Sequence, residues 1–374
     1  MGVASLNLDI ATRFLGAAED IYIIRPGEKF SFYETFLHRS VVFLDFPDLR
    51  LDFSAPKPKR QALREAVVRS MMLQEWHQRG EPGVAPSRDP QDYIGAANGR
   101  RIGRYVAAIE RLYFDLPNGT IIVVPGPGYF SDTLIGELVG PPTLIGGELY
   151  RGEQIPARRV RWIGRRSKAR FSGPLRDRLQ KPTPLMAIER SLRWEVLEAA
   201  FDQYSIGDTY SARLKTTKAD FSTLDDYNIQ AFLNYVSGVL AALDGGSPQT
   251  DIDFRAALAL LSGRRDLIPE LASNINSPGD LRLFSSRVTP LVAAVLLAIA
   301  LSAPAGSKPE DFHVTNSAVA GGDPCALEVQ EQAVNAIKMM DLDTWNELCV
   351  GVRDAHGASG LSTSIKVIPD AAPL

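Results

Sequence analysis

The chain is poor in the residues that usually announce chemistry. It holds two cysteines, Cys325 and Cys349, and four histidines in 374 residues. Two isolated thiols exclude a disulfide scaffold and favour a reducing compartment, so the cytoplasm is the expected location. His38, His77, His313 and His356 are scattered, with no HxxxH, HExxH or paired CxxC spacing, and nothing marks a metal site. Patterns of the GxGxxG, GxxxxGK[ST] and GxSxG kind are missing, so the standard nucleotide loops and the serine-hydrolase elbow have no support. No catalytic residue stands out, and no cofactor is implied. The longest apolar run, Leu291 to Leu301, is well short of the roughly 20 residues a spanning helix needs. It is expected as a buried core helix, with no membrane contact in the resting state. The first residues carry no basic segment ahead of their apolar positions, so a signal peptide is not expected.

Charge, by contrast, is concentrated. The formal net charge is −3 over the whole chain. Between Arg151 and Lys181, eleven Lys/Arg face only Glu153 and Asp177, a local charge of +9. From Ala300 onward, ten acidic residues face four basic ones, a charge of −6. Such asymmetry suits an anionic partner, or docking of one surface of the protein on another. Within the cationic stretch, Arg159 and Arg161 lie two apart on a predicted strand and share a face, while Arg158 points the other way. Trp162 follows them, and Arg165, Arg166, Lys168 and Arg170 are expected in the next loop. Guanidinium forks beside an aromatic plane suit phosphates and bases. The bland alternative is a solvated edge strand whose charges block further pairing.

A length of 374 residues exceeds one ordinary core, so two domains are expected. Ile21–Arg25, Val41–Asp45, Thr120–Pro125, Thr133–Val139 and Val160–Ile163 read as strands, being rich in β-branched residues. Arg60–Trp76 and Arg101–Phe114 read as helices by the spacing of their apolar positions. Gly126-Pro127-Gly128-Tyr129 reads as a plain turn. Beyond Met186 helical periodicity takes over: Asp225–Leu243, Phe254–Leu261, Leu281–Phe284, Leu291–Leu301, Cys325–Met340 with Asp323 as its cap, and a short helix from Asp343. The polar loops 273–280 and 315–323 are expected as turns and caps, Cys325 as a buried structural thiol.

Six segments in order resemble the N-terminal module of Mrr-type restriction proteins. They are Arg25-Pro26-Gly27-Glu28 after a strand, Val41-Val42-Phe43-Leu44-Asp45, Gly119 to Pro125 (GTIIVVP), Ile135 to Gly140 (IGELVG), and Arg158 to Trp162 (RRVRW). Ser172 to Leu179 closes the series. The resemblance covers residues 21–188, a little under half of the chain. It implies a β-rich module of prokaryotic restriction or anti-phage proteins that senses nucleic acid. The nuclease half of that family does not carry over, because no E-x-K or Q-x-K tripeptide occurs after Glu189.

The expected architecture is therefore α+β. A small, mostly antiparallel sheet or barrel with helices spans 18–188, a mainly helical effector or assembly domain spans 189–356, and a frayed tail spans 357–374. The expected function is recognition of nucleic acid or a related anion through Arg159, Arg161, Trp162, Arg165, Arg166, Lys168 and Arg170, in an antiviral defence setting. Other defence-system subunits or a second copy are the further partners. A metal-dependent nuclease with a rearranged site, and a non-enzymatic interaction subunit, are the competing readings.

Overall fold

The computed structural model describes residues 6–96, 99–146, 149–150, 152–246, 250–274, 278–302, 312–318 and 324–369. The fold is α+β, as expected. The chain divides into a split unit, residues 1–18 with 201–374, and an inserted unit, residues 19–200.

The split unit opens with β1 (Leu6–Asp9) and β2 (Arg13–Leu15). The inserted unit then contributes β3 (Tyr22–Ile24), α1 (Tyr33–Arg39), β4 (Val41–Phe43), α2 (Arg60–Gln78), α3 (Arg100–Glu110), β5 (Ile121–Val124), β6 (Asp132–Ile145), β7 (Ile155–Ser167), α4 (Gly173–Gln180), β8 (Leu185–Ala187) and α5 (Arg193–Ala200). On return, the split unit continues with β9 (Gln203–Ile206), β10 (Thr209–Thr216), α6 (Thr223–Asp244), α7 (Phe254–Gly263), β11 (Glu270–Asn274) and β12 (Gly279–Ser285). It ends with α8 (Thr289–Ser302), β13 (Phe312–Thr315), α9 (Pro324–Met339), α10 (Leu342–Ser359), β14 (Ser362–Thr363) and β15 (Lys366–Pro369).

In the inserted unit one sheet runs in the order β4-β7-β6-β5-β3-β8. Only the β3–β5 pairing in that order is parallel. All four residues of β5 are buried, which explains why Ile121-Ile122-Val123-Val124 shows no polar alternation. Leu63 and Val67 of α2 and Val106 and Ile109 of α3 join Phe43, Ile122 and Leu138 in one core. The β6–β7 hairpin is far longer than the two short runs that predicted it. A register shift at Ile163, which falls between the pairs Ile135–Gly164 and Gly136–Trp162, bends it. Gly136 makes room for the Trp162 ring, since a Cβ there would lie 2.7 Å from Trp162 Cε3.

The split unit holds a sheet ordered β11-β12-β10-β9-β2, with β14 paired to β10, and a smaller sheet ordered β13-β1-β15. Its centre is α8, in which Leu291 through Ala300 are all buried. A helix apolar on every side belongs in the middle of a core, as the run predicted. Helix α6 starts earlier than its apolar stripe suggests, because Ser222 and Asp225 form a capping box.

Three expectations need correction. Leu281–Phe284 lies in strand β12, not a helix, and Leu281, Arg282 and Leu283 are all buried, so its two-residue period is masked. The segment expected to fray at the C-terminus instead supplies β14 and β15, and β15 pairs antiparallel with β1. The first compact unit extends past Ile188 to Ala200, because α5 packs on β7: a Cβ at Gly164 would lie 2.7 Å from the Ala199 carbonyl oxygen. Asp323 as a helix cap, the loop stretches 275–277 and 319–322, and Arg151 lie outside the described residues.

Candidate functional site

The cationic residues lie along β7 and the 3-10 turn Lys168–Arg170 that follows it. Cross-strand pairing fixes their faces. Arg159 opposes Val139, Arg161 opposes Glu137 and Arg166 opposes Thr133, so these three share one face of the hairpin. Arg165 opposes Leu134 and lies on the other face with Trp162 and Val160. The bulge at Ile163 is the cause, because one extra residue inverts the alternation beyond it. Arg165 and Arg166 are thus part of the strand, where a loop was expected.

Of the seven residues expected to meet an anion, four have exposed side chains. Arg159 and Arg170 are exposed, and no ion-pair partner is assigned to them among the described residues. Arg161 is exposed and donates to Glu137 Oε2 at 2.5 Å. Arg165 is exposed, with its Nε 4.0 Å from Asp132 Oδ2. The Arg165–Asp132 pair is exposed on both sides and worth about 0–1 kcal/mol, so an incoming phosphate can displace Asp132, whereas the Glu137 carboxylate is buried and keeps its hold on Arg161. Arg166 is partly buried, 3.8 Å from Glu198 and over the Phe171 ring at 5.7 Å.

The remaining two are structural. Lys168 is 2% exposed, and its Nζ donates to the Gly126 carbonyl at 2.6 Å. Burial lowers its pKa, and the Arg25 guanidinium adds to that. Trp162 packs against the core as a partly buried ring, its indole N–H buried without a hydrogen-bond acceptor among the described residues. Arg158 points inward as the strand alternation requires. It donates to the carbonyls of Leu112 and Leu116 at 3.0 and 2.9 Å and to Asn118 Oδ1 at 3.0 Å.

Residues that read as a plain turn complete this end of the unit. Tyr129 and Phe130, in the loop joining β5 to β6, are exposed. Arg176 of α4 donates to the Tyr129 hydroxyl at 2.9 Å. The sequence does carry a signal, a Tyr-Phe pair after Gly-Pro-Gly, but nothing local ties it to cations some forty positions later.

Two further polar clusters sit elsewhere in the inserted unit. Asp48 gathers Arg50, Arg69 and Arg88, and Arg88 also pairs with Glu153, beside a cleft of about 700 Å³. With Asp52, which also lines the cleft, three carboxylates balance its three arginines. Asp45 accepts from Tyr150 and Gln74, and burial pushes its pKa up to about 6. Among the described residues no group of three or more His, Cys, Asp or Glu is placed to hold a metal. Cys325 is half-buried at the start of α9, whereas Cys349 is buried and its thiol is pushed up to about 12 by that burial. No family model, curated protein or solved structure matches the chain. No helix among the described residues is long and apolar enough to cross a membrane.

Proposed function

We propose that the inserted unit recognises nucleic acid as the sensing part of a prokaryotic anti-phage defence protein of the restriction type. The split unit then serves as effector or assembly unit, with other defence subunits or a second copy as its partners, in the cytoplasm. The order of motifs shared with the Mrr-type N-terminal module supports the setting. The observation that carries the reading is the density of exposed guanidinium groups on one strand and its following turn: Arg159 and Arg161 on one face of the hairpin, Arg165 on the other, and Arg170 in the turn beyond. Guanidinium forks on a rigid strand meet phosphate oxygens in pairs, which loose lysines on loops do not.

The test is charge reversal at the end of β7 and in the turn beyond. Each phosphate that is no longer neutralised lowers the slope of log K against log salt by about 0.7 on single strands and 0.9 on B-DNA. Arg165→Glu with Arg170→Glu should therefore weaken binding and flatten that slope by roughly 1.4 to 1.8. Fluorescence anisotropy over a salt series reads both quantities. Unchanged affinity together with an unchanged slope overturns the reading.

A further inference from the structure

Beside the cations stand two large aromatic rings in water. Phe130 is 81% exposed and Tyr129 is 49% exposed. Their rings meet edge to face, with centroids 5.0 Å apart and an interplanar angle of 89°. A single exposed ring needs no explanation, but an adjacent pair on a hairpin tip forms a patch.

The loop that carries them is held at several points. The Gly128 N–H donates to Ser131 Oγ at 2.9 Å. Ser167 Oγ donates to the Phe130 carbonyl at 3.2 Å, and the Lys168 N–H donates to the Ser131 carbonyl at 3.0 Å. The buried Lys168 ammonium closes the base of the loop on Gly126. Gly126 itself leaves no room for a side chain, since a Cβ would lie 2.4 Å from the Asp132 carbonyl oxygen. Arg176 fixes the Tyr129 ring, with its guanidinium 5.6 Å from the ring centroid. The two rings are thus presented in place, and a ligand that stacks on them does not have to order the loop first.

The Ser167 hydroxyl and the Lys168 N–H thus tie the aromatic loop to the end of β7 and the turn after it, next to Arg165, Arg166 and Arg170 in the chain. Cations that track a phosphate backbone, interleaved with rings that accept base faces, form the pattern of single-strand recognition. A closed duplex offers phosphates but keeps its base faces inside the stack. We propose that Tyr129 and Phe130 are a stacking platform and that the ligand of this end of the unit is single-stranded nucleic acid, or an unpaired stretch of it. This inference rests on the nucleic-acid reading above.

The experiment uses the full chain and three fluorescent probes of one length, about 16 nucleotides, the upper end of a single-strand site. They are an oligothymidylate, an abasic strand with the same phosphates, and a closed hairpin duplex. Phe130→Ala and Tyr129→Ala should each weaken oligothymidylate binding by about tenfold, within the range that one base–aromatic stack supplies. Both should leave abasic and duplex binding, and the salt slope, unchanged. Phe130→Trp should keep the affinity, and its fluorescence should quench on oligothymidylate and not on the abasic strand. Equal losses on all three probes, or no loss on oligothymidylate, overturn the stacking platform while leaving the cationic site standing. No binding of any probe overturns the underlying nucleic-acid reading, and this inference with it. Binding of anionic phosphatidylserine vesicles that Phe130→Ala abolishes, with no oligothymidylate binding, assigns the tip to a membrane surface and overturns the inference as well.

Discussion

Asp45 shows how burial sets chemistry at a single residue. The Tyr150 hydroxyl and the Gln74 amide donate to its two carboxylate oxygens, yet desolvation outweighs both and raises its pKa to about 6. A folded-state value above the ordinary 3.8 means that the folded chain holds the proton more tightly than the unfolded chain. The stability tied to this proton is therefore full below about pH 4 and is lost as pH rises to about 6. Above that, the ionised group costs at most about 3 kcal/mol, from roughly two pKa units at 1.36 kcal/mol each. Asp45→Asn removes the titration, and the Gln74 amide can turn its oxygen toward the new NH2 group. The urea stability of the wild type should fall relative to the variant between about pH 4 and pH 7, by up to that amount. Parallel pH profiles would show that Asp45 is ordinary. Arg158 and Lys168 make the complementary point within the cationic stretch. Alternation along β7 foretells that Arg158 turns inward. Nothing local can foretell Lys168, because its acceptor, the Gly126 carbonyl, is 42 positions away.

Elements are legible in the sequence where one face alone is buried, or where a β-branched run is unbroken. Helices α2 and α3 and strands β3, β4 and β5 fall close to the expected bounds for that reason. Strand β12 reads as helix because both of its faces are covered, and β9 and β10 carry too many polar residues to stand out. The bulge at Ile163 has no signature of its own, yet it decides which arginines share a face. Glycines carry packing information that the sequence alone does not rank. Gly103 of α3 and Gly238 of α6 both sit inside helices, where alanine gains about 0.8–1 kcal/mol by propensity. At Gly103 a Cβ would meet only the Arg64 side-chain end at 3.5 Å, so Gly103→Ala should stabilise by that propensity. At Gly238 it would lie 2.4 Å from the Ala257 carbonyl oxygen, where α6 crosses α7. Backbone cannot swing aside, and forcing two helices apart costs about 1–3 kcal/mol, which exceeds the gain. Gly238→Ala should therefore destabilise. Thermal melts of the two variants should move in opposite directions, and a shared direction would show that the α6–α7 contact is loose.

At the scale of the whole molecule, the organisation turns on β2 and β9. They pair in parallel, with Arg13 opposite Tyr204 and Leu15 opposite Ile206. A parallel pair needs a crossover connection of about a dozen residues or more. Here the inserted unit, residues 19–200, occupies that crossover. Residues before 18 show no assignable element in the sequence because their partners are remote: β1 pairs with Phe312–Thr315 on one side and Lys366–Pro369 on the other. Short strands closed over such distances leave no periodic trace. Each unit nevertheless encloses its own hydrophobic core. Two separable folds follow from this. Residues 19–200 expressed alone should unfold in one cooperative urea transition, with an m-value of about 2–3 kcal/mol/M for a chain of that size. The split unit should fold when a crossover of about a dozen Gly/Ser residues replaces the insertion. The excised unit should also match the full chain in oligonucleotide affinity and salt slope, because every guanidinium and ring of the candidate surface lies within it. A non-cooperative 19–200 would mean that its core depends on the rest of the chain. A cooperative 19–200 with weakened affinity would mean that the guanidinium groups and rings of the candidate surface do not account for binding on their own.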